Sequence, residues 1–443
     1  METLKVVKFG GTSLADAGQF KKVYDIVKAE NTRRYVVPSA PGKRFKDDTK
    51  VTDLLYKLNA AKTEIEFNIT MEKIKSRYQD IIDGLDLDFS LDDEFDIIER
   101  NIKKGVSEDY VISRGEYLNA LLLANYLDIE FIDAKDVIFI DENGNYDAKM
   151  TDPKLSEALH SIEYAVIPGF YGSLNDGSGT IKAFSRGGSD VTGSIVAKNA
   201  GASLYENWTD VPGFLIADPR IVHKPDVIET ITYQELRELS YMGAGVLHEN
   251  SIFPVRKVGI PIHVRNTNRP EDPGTLIVES TCHKPNHVIT GIAGSKGFAT
   301  VMIEKDMMNS EIGFCRRVLQ VFEDENLSFE HMPSGIDTMT IVINTADFIE
   351  KEQHVLSGIH RAVEPDSIVL ESDLALIAVV GRGMKASRGI AARVFSCLAK
   401  ENINIKMIDQ GSSELNIIIG VRNCYFEPAI KAIYKEFIEE DRH

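Results

Sequence analysis

Several strand-length apolar runs in the first half of this chain end in a polar corner that carries glycine, and that repetition constrains the fold more than any other feature. "TLKVVKFGGTSL" runs through Val6, Val7 and Phe9 into Gly10, Gly11, Thr12 and Ser13. "YVVPSAPGK" ends at Ser39, Gly42 and Lys43, "AVIPGFYG" turns at Gly169, and "SLYENWTDVPG" reaches Thr209 and Asp210 before a Pro-Gly turn. Phe20, Val23, Tyr24 and Val27 after the first corner keep helical spacing, so the unit reads as buried strand, turn and helix. Units of this kind in series build an open α/β sheet with its corners on one edge, which is where such sheets bind ligands. Paired glycines let backbone amides face a ligand, a helix start beyond them favours negative charge, and Lys8 beside them points to phosphate. No GxGxxG follows the strand and "SAPGKRF" lacks the first Walker glycine. Taken alone, the corner is equally a tight turn beside a solvated lysine.

At 443 residues and 43% hydrophobic, the chain is long enough for two or three domains with their own cores. A formal charge of −18 argues against nucleic acid or an anionic membrane as the main partner, so local positive groups must hold any anionic substrate. Cys282, Cys315, Cys397 and Cys424 show no metal-ligand spacing, which fits unpaired thiols in a reducing cytosol. The start of the chain does not read as a signal peptide, and no run approaches the ~20 apolar residues of a membrane span. The expectation is a soluble cytoplasmic protein.

Further along, Lys43 to Lys50 reads as a mobile polar loop, and about 51–109 as a largely acidic helical insert, a lid or packing subdomain. Ser113, Arg114 and Glu116 open an apolar-striped helix, and by local reading Glu116 closes a capping box begun by Ser113. In "FSRGGSDVTGSIVAKNAG", Ser189 is placed to cap a helix that stops at Gly201, with Arg186, Gly187 and Gly188 supplying charge and open backbone ahead of it. A second polar turn holds Asp218, Pro219 and Arg220. A polar linker is expected near Ser280 to Asn286. Beyond it, "GFCRRVLQVFEDENLSFEHM" from Gly313 aligns with "GIAARVFSCLAKENINIKMI" from Gly389 at an offset of 76 residues, matching glycine, Arg-Val, Glu-Asn and an alternating strand. Each copy is one supersecondary unit that buries its face against the other.

Together, "KFGGTS", "SAPGK" leading into "VTDLL", "SRGE", "SRGGSD", "WTDVPGFLIADPR" and the tandem repeats resemble the aspartokinases of the amino-acid kinase family over nearly the whole chain. The resemblance implies an amino-acid-kinase-type open α/β sheet flanked by helices over 1–284. Two ferredoxin-like βαββαβ ACT domains follow over 285–443, with copies near 290–365 and 374–440. It implies transfer of the γ-phosphoryl group of MgATP, a co-substrate, to the side-chain carboxylate of L-aspartate, with no tightly bound cofactor and no all-protein metal site. By this resemblance Lys8 and Asp190 are catalytic, and Lys8, Gly10, Gly11, Thr209, Asp210, Leu215 and Arg220 hold the nucleotide. Ser39, Thr52, Glu116, Arg186, Gly187, Gly188 and Ser189 hold aspartate. The types suit the chemistry, since a guanidinium grips an α-carboxylate with two parallel bonds and Glu116 can pair with the ammonium.

Two positions depart from the family pattern: Gly245 stands where many members have a nucleotide-site lysine, with Lys257, Arg256 or Lys224 as substitutes, and Leu215 stands in place of a common tyrosine. The other readings are a kinase for a different carboxylate, such as glutamate, and a catalytically silent amino-acid sensor. Lysine is the effector the resemblance implies, held by Met308, Ser310, Gly313, Phe314, Phe329, Glu330 and Ser334 of the first copy. Lys406, in the place of Glu330, would repel its ammonium in the second. Alternating edge strands in the repeats imply a homodimer or a dimer of dimers.

Overall fold

A computed structural model describes residues 3–440 apart from 186, 244–246, 248 and 282–286, so most of the expected linker lies outside the described residues. The chain forms two compact units. One comprises Met1–Phe214, Val227–Gln234 and Gly245–Thr281, and the other Leu215–Asp226, Glu235–Ala244 and Cys282–His443.

The first unit contains strands β1 (Lys5–Phe9), β2 (Arg33–Pro38), β3 (Glu130–Phe131), β4 (Phe139–Ile140), β5 (Ala165–Val166), β6 (Tyr171–Leu174), β7 (Ile181–Ala183), β8 (Leu204–Thr209), β9 (Thr230–Thr232), β10 (Ile262–Asn266) and β11 (Thr275–Val278). Eight form one sheet in the order β3-β5-β2-β1-β8-β10-β11-β9, and β4-β6-β7 form a small second sheet. β1 runs parallel to both β2 and β8, and β10 is parallel to β8. Val6, Val7 and Phe9 are all fully buried, because a central parallel strand is covered on both faces and shows no alternation. The chain leaves β1 towards β2 on one side and β8 on the other, so the corner after Phe9 lies at the switch point of the sheet, where α/β folds open a crevice.

Helices α1 (Ala17–Lys28), α2 (Val51–Asn59), α3 (Glu64–Leu85), α4 (Asp92–Lys103) and α5 (Glu108–Leu127) follow in the same unit. α3 starts in a capping box between Thr63 and Glu66 and stops at Asp86 in the left-handed region (φ 55°). Its Ile74, Tyr78, Ile81 and Ile82 share one core with Phe9, Val36, Trp208 and the α5 residues Leu118 and Leu122. The helical insert is therefore a packing element built onto the sheet's own core.

Three local expectations change. α5 begins at Glu108 under the cap of Ser107, whose side chain accepts from the Tyr110 amide at 3.3 Å, so Ser113 and Glu116 lie inside the helix and form no capping box. The helix Gly188–Asn199 is entered through Gly187 (φ 57°), with Ser189 inside its first turn rather than at the cap; Gly201 (φ 59°) ends it as expected. The corner after β1 is a short 3-10 turn, Gly11–Leu14, and α1 starts only at Ala17, where the Asp16 side chain already takes the Gln19 amide. The open amides at that corner belong to the turn, not to a long helix.

The second unit holds β12 (Gly291–Glu304), β13 (Thr338–Asn344), β14 (Ser367–Val380), β15 (Met407–Asp409) and β16 (Asn416–Arg422) in one antiparallel sheet ordered β13-β12-β14-β16-β15. The repeat is visible in the backbone: Phe314–Asp324 and Ile390–Lys400 are both helices, entered through left-handed Gly313 (φ 82°) and Gly389 (φ 83°). Asn326 (φ 52°) and Asn402 (φ 55°) repeat the turn that follows. The 14-residue strands β12 and β14 run through both copies. Phe298–Glu304 pairs with β13, while Gly291–Lys296 pairs with the half of β14 that pairs with β16. The second copy thus takes an outer strand from the chain ahead of the first, and the two copies share one sheet.

Candidate active site at the carboxyl edge of the parallel strands

Lys8, flanked in β1 by the fully buried Val7 and Phe9, is 7% exposed. Its Nζ lies 2.6 Å from Asp190 Oδ1, and Asn207 Nδ2 of β8 donates to the same oxygen at 2.8 Å. The corner itself is tied down by backbone bonds: Gly10 N donates to Trp208 O at 2.9 Å, Ser39 N to Phe9 O at 3.0 Å and Gly42 N to Gly11 O at 2.7 Å. A Cβ on Gly11 would meet Ala40 O at 2.8 Å, and one on Gly42 would meet the Gly11 carbonyl carbon at 2.5 Å. These glycines are required because two corners touch backbone to backbone, a reason beyond open amides.

Glu116 faces the second corner from α5. It is 5% exposed, and its Oε2 is buried with no hydrogen-bond partner among the described residues. Burial pushes its carboxyl up to about 7, against the lowering effect of the nearby Ala40 and Glu116 amides and of Arg114. Arg114 is itself boxed by the rings of Tyr110, Tyr117 and Tyr171, at 4.6, 4.4 and 5.2 Å. Asn119, fully buried one turn on, donates to Ser39 O at 2.6 Å. Thr52 stands half-buried in the first turn of α2, which is joined to the corner by Val51 N donating to Pro41 O at 3.1 Å.

From the third corner, the helix Gly188–Asn199 presents its first turn with no side-chain cap. Gly188 packs against Phe170, and Ser189 (9% exposed) packs so tightly that a Cβ on Gly169 would be 2.7 Å from its Oγ. Arg186 lies outside the described residues, as does Gly245. Thr209 Oγ1 donates to Asp210 Oδ1 at 3.2 Å, and Thr267 N donates to Thr209 O at 2.8 Å.

The structure therefore links Lys8, Gly10, Gly11, Ser39, Glu116 and Asp190 through direct bonds or shared neighbours. Leu215 and Arg220 belong to the second unit, where Arg220 pairs with Asp218 at 2.6 Å. Among the described residues, no group of three His, Cys, Asp or Glu side chains could hold a metal ion. Asn207 and Asn119 escaped the sequence reading; the one signal was a polar residue at a buried position of an apolar run.

In the second unit, Met308 and Phe314 are buried in the core with Val301, Val318 and Ile341, so their side chains fill the fold. Ser310 lies in a single 3-10 turn, and Gly313 opens a helix whose first amides have no side-chain cap. Phe329 is 37% exposed, and Ser334 forms an isolated bridge to Met339. The Glu330 amide donates to Val342 O at 2.8 Å, and its carboxylate accepts from the Tyr241 hydroxyl. Lys406 is paired with Glu371 at 2.8 Å.

Comparison with known proteins agrees with this architecture. Residues 3–266 match the model of the amino acid kinase family, and 377–437 match an ACT domain. Aspartokinase 3 of Bacillus subtilis (strain 168) is 39% identical, over 98% of this chain and 98% of its own. The crystal structure of Clostridium acetobutylicum aspartate kinase is similar with a TM-score of 0.88 at 51% identity, covering 98% of this chain and 100% of that one. E. coli aspartokinase III in complex with aspartate and ADP gives a TM-score of 0.75 at 26% identity, covering 98% and 99%; its complex with lysine and aspartate gives 0.73 at 25%, with the same coverage. Fold, corner chemistry and matches together define a kinase unit joined to a unit that carries an ACT domain. The chain belongs to the amino acid kinase family, in its aspartokinase branch.

Proposed function

We propose that this protein transfers the γ-phosphoryl group of ATP to the β-carboxylate of L-aspartate, giving 4-phospho-L-aspartate, the entry step to lysine, threonine and methionine. The observation that carries the reading is one pair of touching corners. The first follows a buried lysine anchored to a carboxylate, and the helix beside the second carries a buried carboxylate oxygen that has no hydrogen-bond partner among the described residues. In this reading Lys8, with the amides of Gly10 and Gly11, neutralises charge spreading over the transferred phosphoryl oxygens, the main requirement of phosphoryl transfer. Asp190 holds Lys8 in place. A general base is not needed, because the nucleophile is a carboxylate with a reference pKa of about 3.9 and is already ionised at neutral pH.

Glu116 takes the substrate ammonium, which supplies the missing partner of Oε2. Arg186 grips the α-carboxylate in a two-bond fork, and Ser39, Thr52, Gly187, Gly188 and Ser189 line the pocket. Thr209, Asp210, Leu215 and Arg220 serve the nucleotide. Magnesium arrives as MgATP, held by phosphate oxygens and water, as suits a hard cation. The E. coli relative solved with aspartate and ADP, and with lysine, supports both the substrates and lysine as the regulator. Lysine would place its carboxylate on the uncapped amides after Gly313 and its ε-ammonium against Glu330. The reading includes a cytoplasmic homodimer, or a dimer of dimers, paired through the ACT units.

A coupled assay with ATP and either aspartate or glutamate, with and without lysine, tests it. Turnover with aspartate, inhibited by lysine, is expected. Turnover with glutamate alone, or with neither, overturns the substrate assignment.

A further inference from the structure

We propose that α3 is the brace that sets the spacing between the two walls of the aspartate pocket, with Arg77 and Tyr78 as its positioning residues. The proposal rests on the reading of Ser39, Thr52 and Glu116 as substrate ligands. Neighbouring residues on a helix point about 100° apart, so this pair reaches two different segments. Arg77 is 5% exposed and Tyr78 is fully buried, which places both polar groups where a missed hydrogen bond would be costly.

The Arg77 guanidinium donates through one nitrogen to the Gly42 carbonyl and through another to Asp48 Oδ2 at 2.8 Å. It thereby staples both ends of the 42–48 loop. Arg44 adds a bond to the same carboxylate at 3.0 Å, and these partners outweigh burial and hold Asp48 well below the usual carboxylate range. The loop expected to be mobile is anchored. Gly42 is the residue in backbone contact with Gly11, and three residues beyond Asp48 the chain enters α2, which carries Thr52 in its first turn.

Tyr78 reaches the other wall, its hydroxyl donating to the Gly115 carbonyl at 2.7 Å, one residue before Glu116. Burial, followed by the neighbouring Glu116 charge, pushes the Tyr78 hydroxyl well above its ordinary value, so it stays a neutral donor. The walls meet where a Cβ on Gly115 would stand 2.8 Å from the Ala40 Cβ. With Asn119 on Ser39 O, three buried side chains hold the three carbonyls that frame the pocket. α3 is rigid enough for this role, being 22 residues long, boxed at its start and buried along Ile74, Ile81 and Ile82.

The test uses the full-length enzyme as wild type, Tyr78→Phe, Arg77→Lys and, as a control on the exposed face of α3, Gln79→Ala. Loss of one neutral hydrogen bond is worth roughly 0.5–1.5 kcal/mol, or about two- to twelvefold. Tyr78→Phe is expected to raise the KM for aspartate by about fivefold with the KM for ATP within about twofold of wild type. Arg77→Lys keeps the charge but reaches only one of its two partners; it should raise the aspartate KM and lower kcat together. Urea midpoints are read in parallel, and Gln79→Ala should leave the kinetics alone. A Tyr78→Phe enzyme with a lowered midpoint but both KM values unchanged makes α3 a structural helix only and overturns the proposal. Should Arg77→Lys fail to fold, Tyr78→Phe decides. A wild type that turns over no aspartate overturns the substrate reading and this proposal with it, whereas an active wild type with an unaffected Tyr78→Phe overturns this proposal alone.

Discussion

Replacing Glu116 with glutamine keeps the shape of a buried side chain and removes a charge held where water does not reach. The carboxyl moves from an ordinary 4.5 to about 7 on folding. That difference is worth about 3 kcal/mol against the folded state once the group is ionised, and at 5% exposure little of it is screened away. Because the folded value is raised, the unfolded chain ionises first. Stability from this group is fully present below the unfolded value and is lost as pH rises through the folded one. Glu116→Gln should therefore be more stable than wild type at pH 8, with an advantage that grows by about 2 kcal/mol between about pH 5.5 and pH 8 in urea denaturation of the ligand-free enzyme. Binding should move the other way, since losing a charge-assisted bond to the substrate ammonium costs roughly 1.5–3 kcal/mol, or about ten- to 150-fold in the aspartate KM, with the ATP KM little changed. Saturating aspartate should restore stability to wild type and not to the variant. A stability difference independent of pH, joined to an unchanged aspartate KM, would refute both the desolvation argument and the ligand role.

Three further outcomes follow from the same geometry. Asp190→Asn should lower kcat by at least about tenfold through a misplaced Lys8, with an unaltered pH profile; recovery on adding formate would mean that a base had been lost. Gly42→Ala forces a methyl to 2.5 Å from backbone that cannot yield; about 1–3 kcal/mol of lost stability and a raised ATP KM are expected, and a variant with wild-type urea midpoint and KM would show that the corners are not held in contact. Glu330→Ala should raise the lysine concentration needed for half-inhibition by more than about tenfold, and undiminished sensitivity would remove Glu330 from the effector site.

The glycine corners, the polar residues around them and the repeat were legible because each is a local demand on the backbone. A Gly-Gly corner after an apolar run needs only a few consecutive residues to be recognised. The 76-residue offset is written in left-handed positions, Gly313 with Gly389 and Asn326 with Asn402, that few side chains tolerate. Lys8 stood out for a similar reason, as a charge inside a strand-length apolar run.

Local reading failed where two signals of the same kind competed within a few residues. Ser113 with Glu116 has the spacing of a capping box, yet Ser107 starts the helix six residues earlier, and burial leaves Glu116 Oε2 without a hydrogen-bond partner among the described residues. Ser189 likewise looked like a cap until Gly187 took the left-handed entry. The sequence by itself determined which segments become strands, corners and repeated units, because backbone conformation is set by neighbours along the chain. Only the tertiary structure decided that Arg77 and Tyr78 bond the Gly42 and Gly115 carbonyls, that Asn207 and Asn119 bond Asp190 and the Ser39 carbonyl, and that the two copies of the repeat share one sheet. Those features depend on hydrogen bonds and strand pairings between residues tens of positions apart, whose partners no local pattern specifies.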